Sequence, residues 1–526
     1  MKNLLVKLIV AGLLLSCFIW FWPILPGVMA DDAVLSAKEG ISKLPFDEEI
    51  RMSLPDLPRH IDNLDWRSLD RWYVISQLFD EMVIFDRSQK LQSGVILKWQ
   101  ILNNRTTIKF WLRDNIKFSN GRKILASDIA YSLKRYLIFQ PPKNLLKKVI
   151  LGSELLHSAD SKIDGIEVLN EKELQIHLKR PLENIWSFLA LPMCGGIVAR
   201  EGIDYKTLKM KAPVINSGPY TVEKISARHI RLKANKYFRN FSSDAPRSIG
   251  FYKHKNMDQA LQWFESGKTN LYSILDPFQL ERMDKLMASN RTLTYPLHRI
   301  GLVYLNPRHY HWQDINVRKA FAAAFDISTF AGVANNLLVW GKSFFPPGSP
   351  GYITTEIINA TNLRSKLANL KKVELLMEEG LYTAPLEEAI RKRLSKYDLK
   401  VSFRHLPKRQ MANLFAKKEF DAAITSVGLP MTDHEFGIYL YFVEEPQYLV
   451  DNNGAINAIF EKITVESDQA KRVSLLREIS KEIDQAKYII PIYHSGVKYL
   501  VRGNIEIDKT EVWRQDIDLS QLRIRR

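Results

Sequence analysis

Thr107-Ile108-Lys109-Phe110-Trp111-Leu112-Arg113, followed by Ile116-Lys117-Phe118-Ser119-Asn120-Gly121 and then Ala126-Ser127-Asp128-Ile129-Ala130-Tyr131-Ser132, is the stretch on which the fold turns. Ile108, Phe110 and Leu112 alternate with Thr107, Lys109 and Trp111, the period of two that buries one face of a strand. Gly121 supplies turn geometry. A helix starts near Ser127 or Asp128, where a carboxylate favours the helix dipole, and Ile129, Leu133, Tyr136 and Leu137 follow at helical spacing.

Working outward, Leu174, Ile176 and Leu178 alternate with Glu173, Gln175, His177 and Lys179, a second half-buried strand. Tyr220 to Ile225 and His229 to Ala234 read as a hairpin. The second half is more helical. Arg318 to Phe325 carries an Ala-rich helix, Leu367 to Glu379 is expected to form another closed by Gly380, and Ala470 to Ile483 places Val473, Leu476, Ile479 and Ile483 on one stripe. Val401 to Phe403 and Ala422 to Val427 read as strands between these helices, which is α/β organisation. Tyr488 to Tyr493 is the last strand candidate, and Pro491 favours an edge or a strand end there.

The chain has 526 residues, too many for one small core, and 46% hydrophobic with 25% charged residues exclude bulk disorder and a polytopic membrane protein. Lys and Arg number 75 against 58 acidic residues, a net charge of +17, but they are scattered and read as a basic, solvated surface. Lys2 and Lys7 precede an uncharged run from Leu8 to Ala30, then Asp31 and Asp32. Val28-Met29-Ala30 has the small residues of a secretory cleavage site after Ala30. A retained membrane anchor, or lipidation at Leu14-Leu15-Ser16-Cys17, would equally place the rest of the chain outside the cytoplasmic membrane. Cys17 and Cys194 are the two cysteines, so cleavage leaves no intrachain disulfide, and Cys194 reads as a small buried hydrophobe.

No Gly-rich phosphate loop, GxSxG elbow, HExxH or CxxC pair is present in the sequence. His309-Tyr310-His311 reads as a surface loop and no metal ligands are expected, because histidines alternating on an extended segment point to different sides. Asp433-His434-Glu435 groups acid and base chemistry, with no nucleophile or further ligand linked to it.

The chain resembles the bacterial extracellular solute-binding proteins of family 5, receptors of ABC importers for oligopeptides, dipeptides and nickel. The stretch quoted first is similar to that family's strand, (V/I)-K-F-x-(D/N)-G turn and A-x-D-(V/I) helix start. Pro58-Arg59-His60-Ile61-Asp62 resembles its opening segment, and Gln77-Leu78-Phe79-Asp80-Glu81-Met82-Val83 with Phe85-Asp86 its first helix and turn. Ser217-Gly218-Pro219-Tyr220 with Asn235-Lys236-Tyr237 resembles its hairpin, and Asn306 with Asn316-Val317-Arg318-Lys319-Ala320 and Phe325-Asp326 a later block. Leu375-Leu376-Met377-Glu378-Glu379-Gly380-Leu381 fits a helix ending at glycine, and Ile490-Pro491-Ile492-Tyr493 the C-terminal motif.

The resemblance implies an α/β, two-lobed periplasmic-binding-protein fold of type II, cluster C-like, with a hinge and an additional inserted domain. Its expected divisions are a signal peptide or anchor over 1–30, lobe I over 31–75, 185–285 and 486–526, the inserted domain over 76–184, and lobe II over 286–485. It implies a non-enzymatic, monomeric receptor without cofactor or nucleic acid, in the periplasm or at the outer face of the cytoplasmic membrane. That receptor would capture peptide or a peptide-like solute for inner-membrane ABC permease subunits. A non-peptide solute (opine, sugar or metal chelate) and an envelope sensor or chaperone without an importer are the alternatives. Ligand backbone is expected against extended segments near Arg71, Trp72 and Tyr73, and near Ser426, Val427, Gly428 and Leu429. Relatives that bind peptides place a W-x-x-D-Y after the second segment, whose aspartate holds the α-amino group. Here the tryptophan is missing and Asp433 is the first acidic group, so either Asp433 supplies that charge or the ligand has no such amine.

Overall fold

The computed structural model describes residues 48–524, apart from 66–68, 87–89, 275–279, 326–337, 356–361, 380–383, 430–433, 445–453, 504, 508–511 and 514–518. The expected signal or anchor over 1–30 lies outside the described residues, as do Gly380, Asp326 and Asp433. Among the described residues no helix is long and apolar enough to cross a membrane.

An 11-stranded sheet carries most of the architecture. Its order is Lys400–Leu406, Lys372–Glu378, Ala422–Gly428, Arg291–Leu305, Ile489–Val501, Leu271–Ile274, Glu49–Leu54, Ser248–Lys253, His229–Ala234 and Tyr220–Ile225, with Leu338–Trp340 pairing beside Ile489–Val501. Two strands join its halves. Arg291 to Thr294 lie opposite Val501 to Lys498, the same residues that pair with Leu271–Ile274, while Ile300 to Tyr304 lie opposite His494 to Ile489 and pair on their other edge with Ala422–Gly428. Between these stretches the register shifts twice, at Thr294/Leu297 and Leu297/Arg299. Such irregularities bend and twist a strand pair locally.

The stretch that opened the sequence reading forms a separate four-stranded antiparallel sheet, in the order Ile96–Leu102, Thr107–Leu112, Glu173–His177, Ile166–Asn170. The helix Ala126–Phe139 packs on it, with Ile129, Leu133 and Leu137 in one apolar cluster with Phe110, Leu174 and Ile176. Asp128 does more than face the helix dipole. Its carboxylate accepts the Leu125 N–H at 2.9 Å and two bonds from Arg122 at 2.8 and 3.0 Å, fixing turn and helix start together. Gly121 has φ +88, as a turn glycine requires. Gly218 is needed for another reason, since a Cβ there would lie 2.4 Å from the Leu78 carbonyl carbon.

Two sequence expectations are corrected and one is met. Residues 372–378 form a strand, not part of a helix, because Leu375, Leu376 and Met377 are all buried between parallel neighbours. A strand buried on both faces shows a continuous apolar run and loses its alternation. Pro491 fits its expected place: it is the third residue of the strand Ile489–Val501, opposite Leu302, and among the described residues no second strand pairs with it on the other side. Arg71, Trp72 and Tyr73 are not extended but belong to the helix Leu69–Ile75.

Candidate functional site

The strand Ala422–Gly428 pairs along its whole length with Arg291–Leu305, Ser426 opposite Gly301 and Gly428 opposite Arg299. On the other edge, pairing with Lys372–Glu378 ends at Ile424 opposite Met377. Among the described residues, Thr425 to Gly428 therefore pair with no strand on that side. An unpaired edge presents a row of main-chain donors and acceptors.

Three features furnish this edge. The Tyr441 hydroxyl donates to the Gly428 carbonyl at 2.8 Å, and burial pushes its pKa up to about 12 against the opposing pull of Arg299, so it stays a donor at neutral pH. Arg299, in register with Gly428, puts a cation beside it. Among the described residues a Cβ on Gly428 would meet nothing within 4 Å, whereas Val427 and Leu429 are buried anchors. One strand over, Gly301 has no room to spare. A Cβ there would lie 2.1 Å from the Tyr493 ring, so glycine lets that ring cover the sheet.

The other expected segment has a different character. Trp72 and Tyr73 are buried, Trp72 in the cluster containing Met82 and Val95, Tyr73 in a second cluster with Ile50 and Tyr499. Arg71 is half-buried, paired with Asp65 and, at 3.7 Å, with Asp56. Of these three, Arg71 alone offers polar reach at the surface. Asp433 lies outside the described residues. Its neighbour His434 stands edge-on to Phe345 at 5.5 Å, and burial lowers its pKa to about 4, so the ring is neutral. Glu435 is buried and ion-paired with partly buried Arg472.

His309 and His311 do not diverge as an extended segment would require. Residues Tyr310–Trp312 form a tight helical turn with His309 at its start, which brings the two imidazoles to 4.6 Å between centroids. Both Nδ1 atoms face Asp421 Oδ1, at 3.4 and 3.5 Å. Burial, aided by His311 and opposed by Asp421, lowers the His309 pKa. Sequence reading missed Asp421 because it lies more than a hundred residues downstream, and missed Arg299, Gly301 and Tyr441 because strand register alone brings them to Gly428.

Residues 90–448 match the family described as bacterial extracellular solute-binding proteins, family 5 Middle. The dipeptide-binding protein DppE of Bacillus subtilis (strain 168) is 23% identical over 283 residues, 52% of this chain and 49% of that protein, so the match spans about half of that relative. The oligopeptide-binding protein OppA of the same organism is 20% identical over 464 residues, 80% of this chain and 82% of that protein. Among solved structures, a periplasmic oligopeptide-binding protein from Borrelia burgdorferi superposes with TM-score 0.77 at 19% identity, covering 90% of this chain and 99% of that one. The mixed α/β, two-lobed class expected from the sequence is the fold of this chain.

Proposed function

From the premise that this chain belongs to the bacterial extracellular solute-binding proteins of family 5, we propose that it is an exported receptor capturing peptide or a peptide-like solute between two lobes for an ABC importer. The observation that carries this reading is the unpaired edge of Thr425 to Gly428, with Arg299 and Tyr441 at its end. An extended ligand adds itself to such an edge through main-chain bonds, which give affinity without reading side chains. Ser426, Val427, Gly428 and Leu429 form the ligand-pairing segment, and Arg299 attracts a ligand carboxylate. Arg71 faces the ligand from the other lobe, while Trp72 and Tyr73 support it from the core.

In this reading lobe I comprises 31–75, 185–285 and 486–526, residues 76–184 are an inserted domain, and 286–485 form lobe II. The paired strands Arg291–Leu305 and Ile489–Val501, with their register shifts, act as the hinge on which the lobes close. The protein is delivered outside the cytoplasmic membrane by its N-terminal segment and works there as a monomer that a permease senses when closed. Members of the family are binding proteins, and the engagement of Glu435 with Arg472 takes one member of the Asp433-His434-Glu435 group out of acid/base work.

The absence of the amine-binding aspartate at its usual place favours a second ligand class, peptides whose amino terminus is modified, unless Asp433 supplies the charge. Mass spectrometry of what co-purifies from the native host, with a thermal-shift screen of free and N-acetylated peptide pools, tests both. Binding to the folded state raises the melting temperature. Shifts with free peptides support the first reading, shifts with acetylated peptides alone support the second, and a shift with a non-peptide solute alone removes peptide as the ligand.

A further inference from the structure

At the opposite end of the strand Ala422–Gly428 from the open edge, about 20 Å away at strand rise, His309, His311 and Asp421 converge. Their ligand atoms lie within 4.8 Å of one another. Neither histidine Nδ1 makes a hydrogen bond, although both are buried and aimed at one carboxylate oxygen. A tetrahedral metal centre with bonds of about 2.0–2.1 Å has ligand-to-ligand edges of about 3.4 Å. The observed Nδ1 to Oδ1 separations of 3.4 and 3.5 Å match two of those edges, and the third separation is no more than 4.8 Å.

The carboxylate is held for such a role. The Trp312 indole N–H donates to Asp421 Oδ1 at 2.8 Å, and the Glu374 backbone N–H donates to Oδ2 at 3.1 Å. The Asp421 carbonyl is fixed by the Asn306 backbone N–H at 3.1 Å and by the Trp312 indole at 2.9 Å. Trp312 itself is fully buried. Outer partners of this kind orient metal-binding groups and raise their affinity. The histidine side chains keep 27% and 15% exposure, while their Nδ1 atoms face inward to the carboxylate.

We propose that His309 Nδ1, His311 Nδ1 and Asp421 Oδ1 bind one divalent transition-metal ion of the zinc class, with a fourth position open to solvent. Two imidazoles and one carboxylate suit zinc, nickel or copper, and two nitrogen ligands disfavour calcium and magnesium. The ion ties the turn after the strand Arg291–Leu305 to the base of the strand Ala422–Gly428. It lies in one lobe, apart from the proposed ligand edge, so its presence does not depend on the receptor reading.

The test uses the full chain without a polyhistidine tag, dialysed against chelator and titrated calorimetrically with zinc chloride. One equivalent should bind, the melting temperature should rise, and cobalt substituted for zinc should show the intense visible bands of tetrahedral coordination. His309→Gln and His311→Gln should each weaken binding at least tenfold, by loss of a direct ligand. Asp421→Asn should do the same, and because it also touches the Trp312 hydrogen bond, the partly exposed His309→Gln carries the test if that variant does not fold. Absence of zinc uptake, or binding of equal affinity in the parent and both histidine variants, overturns the proposal.

Discussion

The hydroxyls of Tyr73 and Tyr499 meet at 2.7 Å, their rings edge-to-face with centroids 6.4 Å apart. The contact pins the helix Leu69–Ile75 onto one of the two strands that join the sheet halves, with both rings buried. Tyr73→Phe and Tyr499→Phe should each cost about 1–2 kcal/mol in urea unfolding, and the double variant should cost less than their sum. Strict additivity would mean that the two hydroxyls do not support one another.

Gly301 and Gly428 lie two residues apart in the strand register yet should respond oppositely to substitution. Gly301→Val drives a side chain into the Tyr493 ring and should destabilise by roughly 1–3 kcal/mol. Among the described residues a Cβ at Gly428 meets nothing, so with Gly428→Leu unfolding should change little while ligand binding weakens at least tenfold, read by calorimetry with whichever ligand the screen identifies. Unchanged binding in Gly428→Leu would remove the strand end from the ligand site.

Arg299 provides a test of ligand polarity. With Arg299→Gln, a ligand ending in a carboxylate should lose about tenfold in affinity, and its amidated counterpart should be unaffected. Equal losses for both would show that the guanidinium reads no ligand charge.

Stability should fall with acid between pH about 6.5 and about 4. Burial lowers the pKa of His254, His434 and His494 to about 4 in the folded state, from an ordinary value of 6.5. Below pH 6.5 the unfolded chain therefore binds protons that the folded chain refuses, so stability rises with pH across this window and levels off above it. Together these groups should remove on the order of 3–5 kcal/mol between pH 7 and pH 5. Denaturant melts at the two pH values check this, and His494→Gln should make the dependence shallower.

The Glu435–Arg472 pair is largely shielded from solvent, at 7% and 11% exposure, unlike Lys172–Asp114 at 63% and 69%. Arg472→Met removes the cation paired with the buried Glu435 carboxylate and should destabilise by about 3–5 kcal/mol, partly recovered when Glu435→Gln is added. Asp114→Asn at the exposed pair should leave the unfolding midpoint unchanged. Equal effects at the two sites would refute the dependence on burial.

Local patterns were legible wherever one face of an element meets solvent. The strands Thr107–Leu112, Glu173–His177 and His229–Ala234 and the helix Gln469–Ala486 all show in the sequence their alternation between core and water. Family membership was legible too, because turn glycines, helix starts and apolar faces recur in a fixed order along the chain. The reading failed where both faces are buried, as at Leu375 to Met377, since a continuous apolar run carries no period.

By itself the sequence determined the class and those elements that keep one face in water, through the two short-range periods that set what each segment buries. Tertiary structure alone decided which distant residues meet. The pairing of Gly428 with Arg299, the end of pairing at Ile424, and the convergence of His309 and His311 on Asp421 depend on strand register. Register arises from the packing of whole sheets, which no local stretch of sequence encodes.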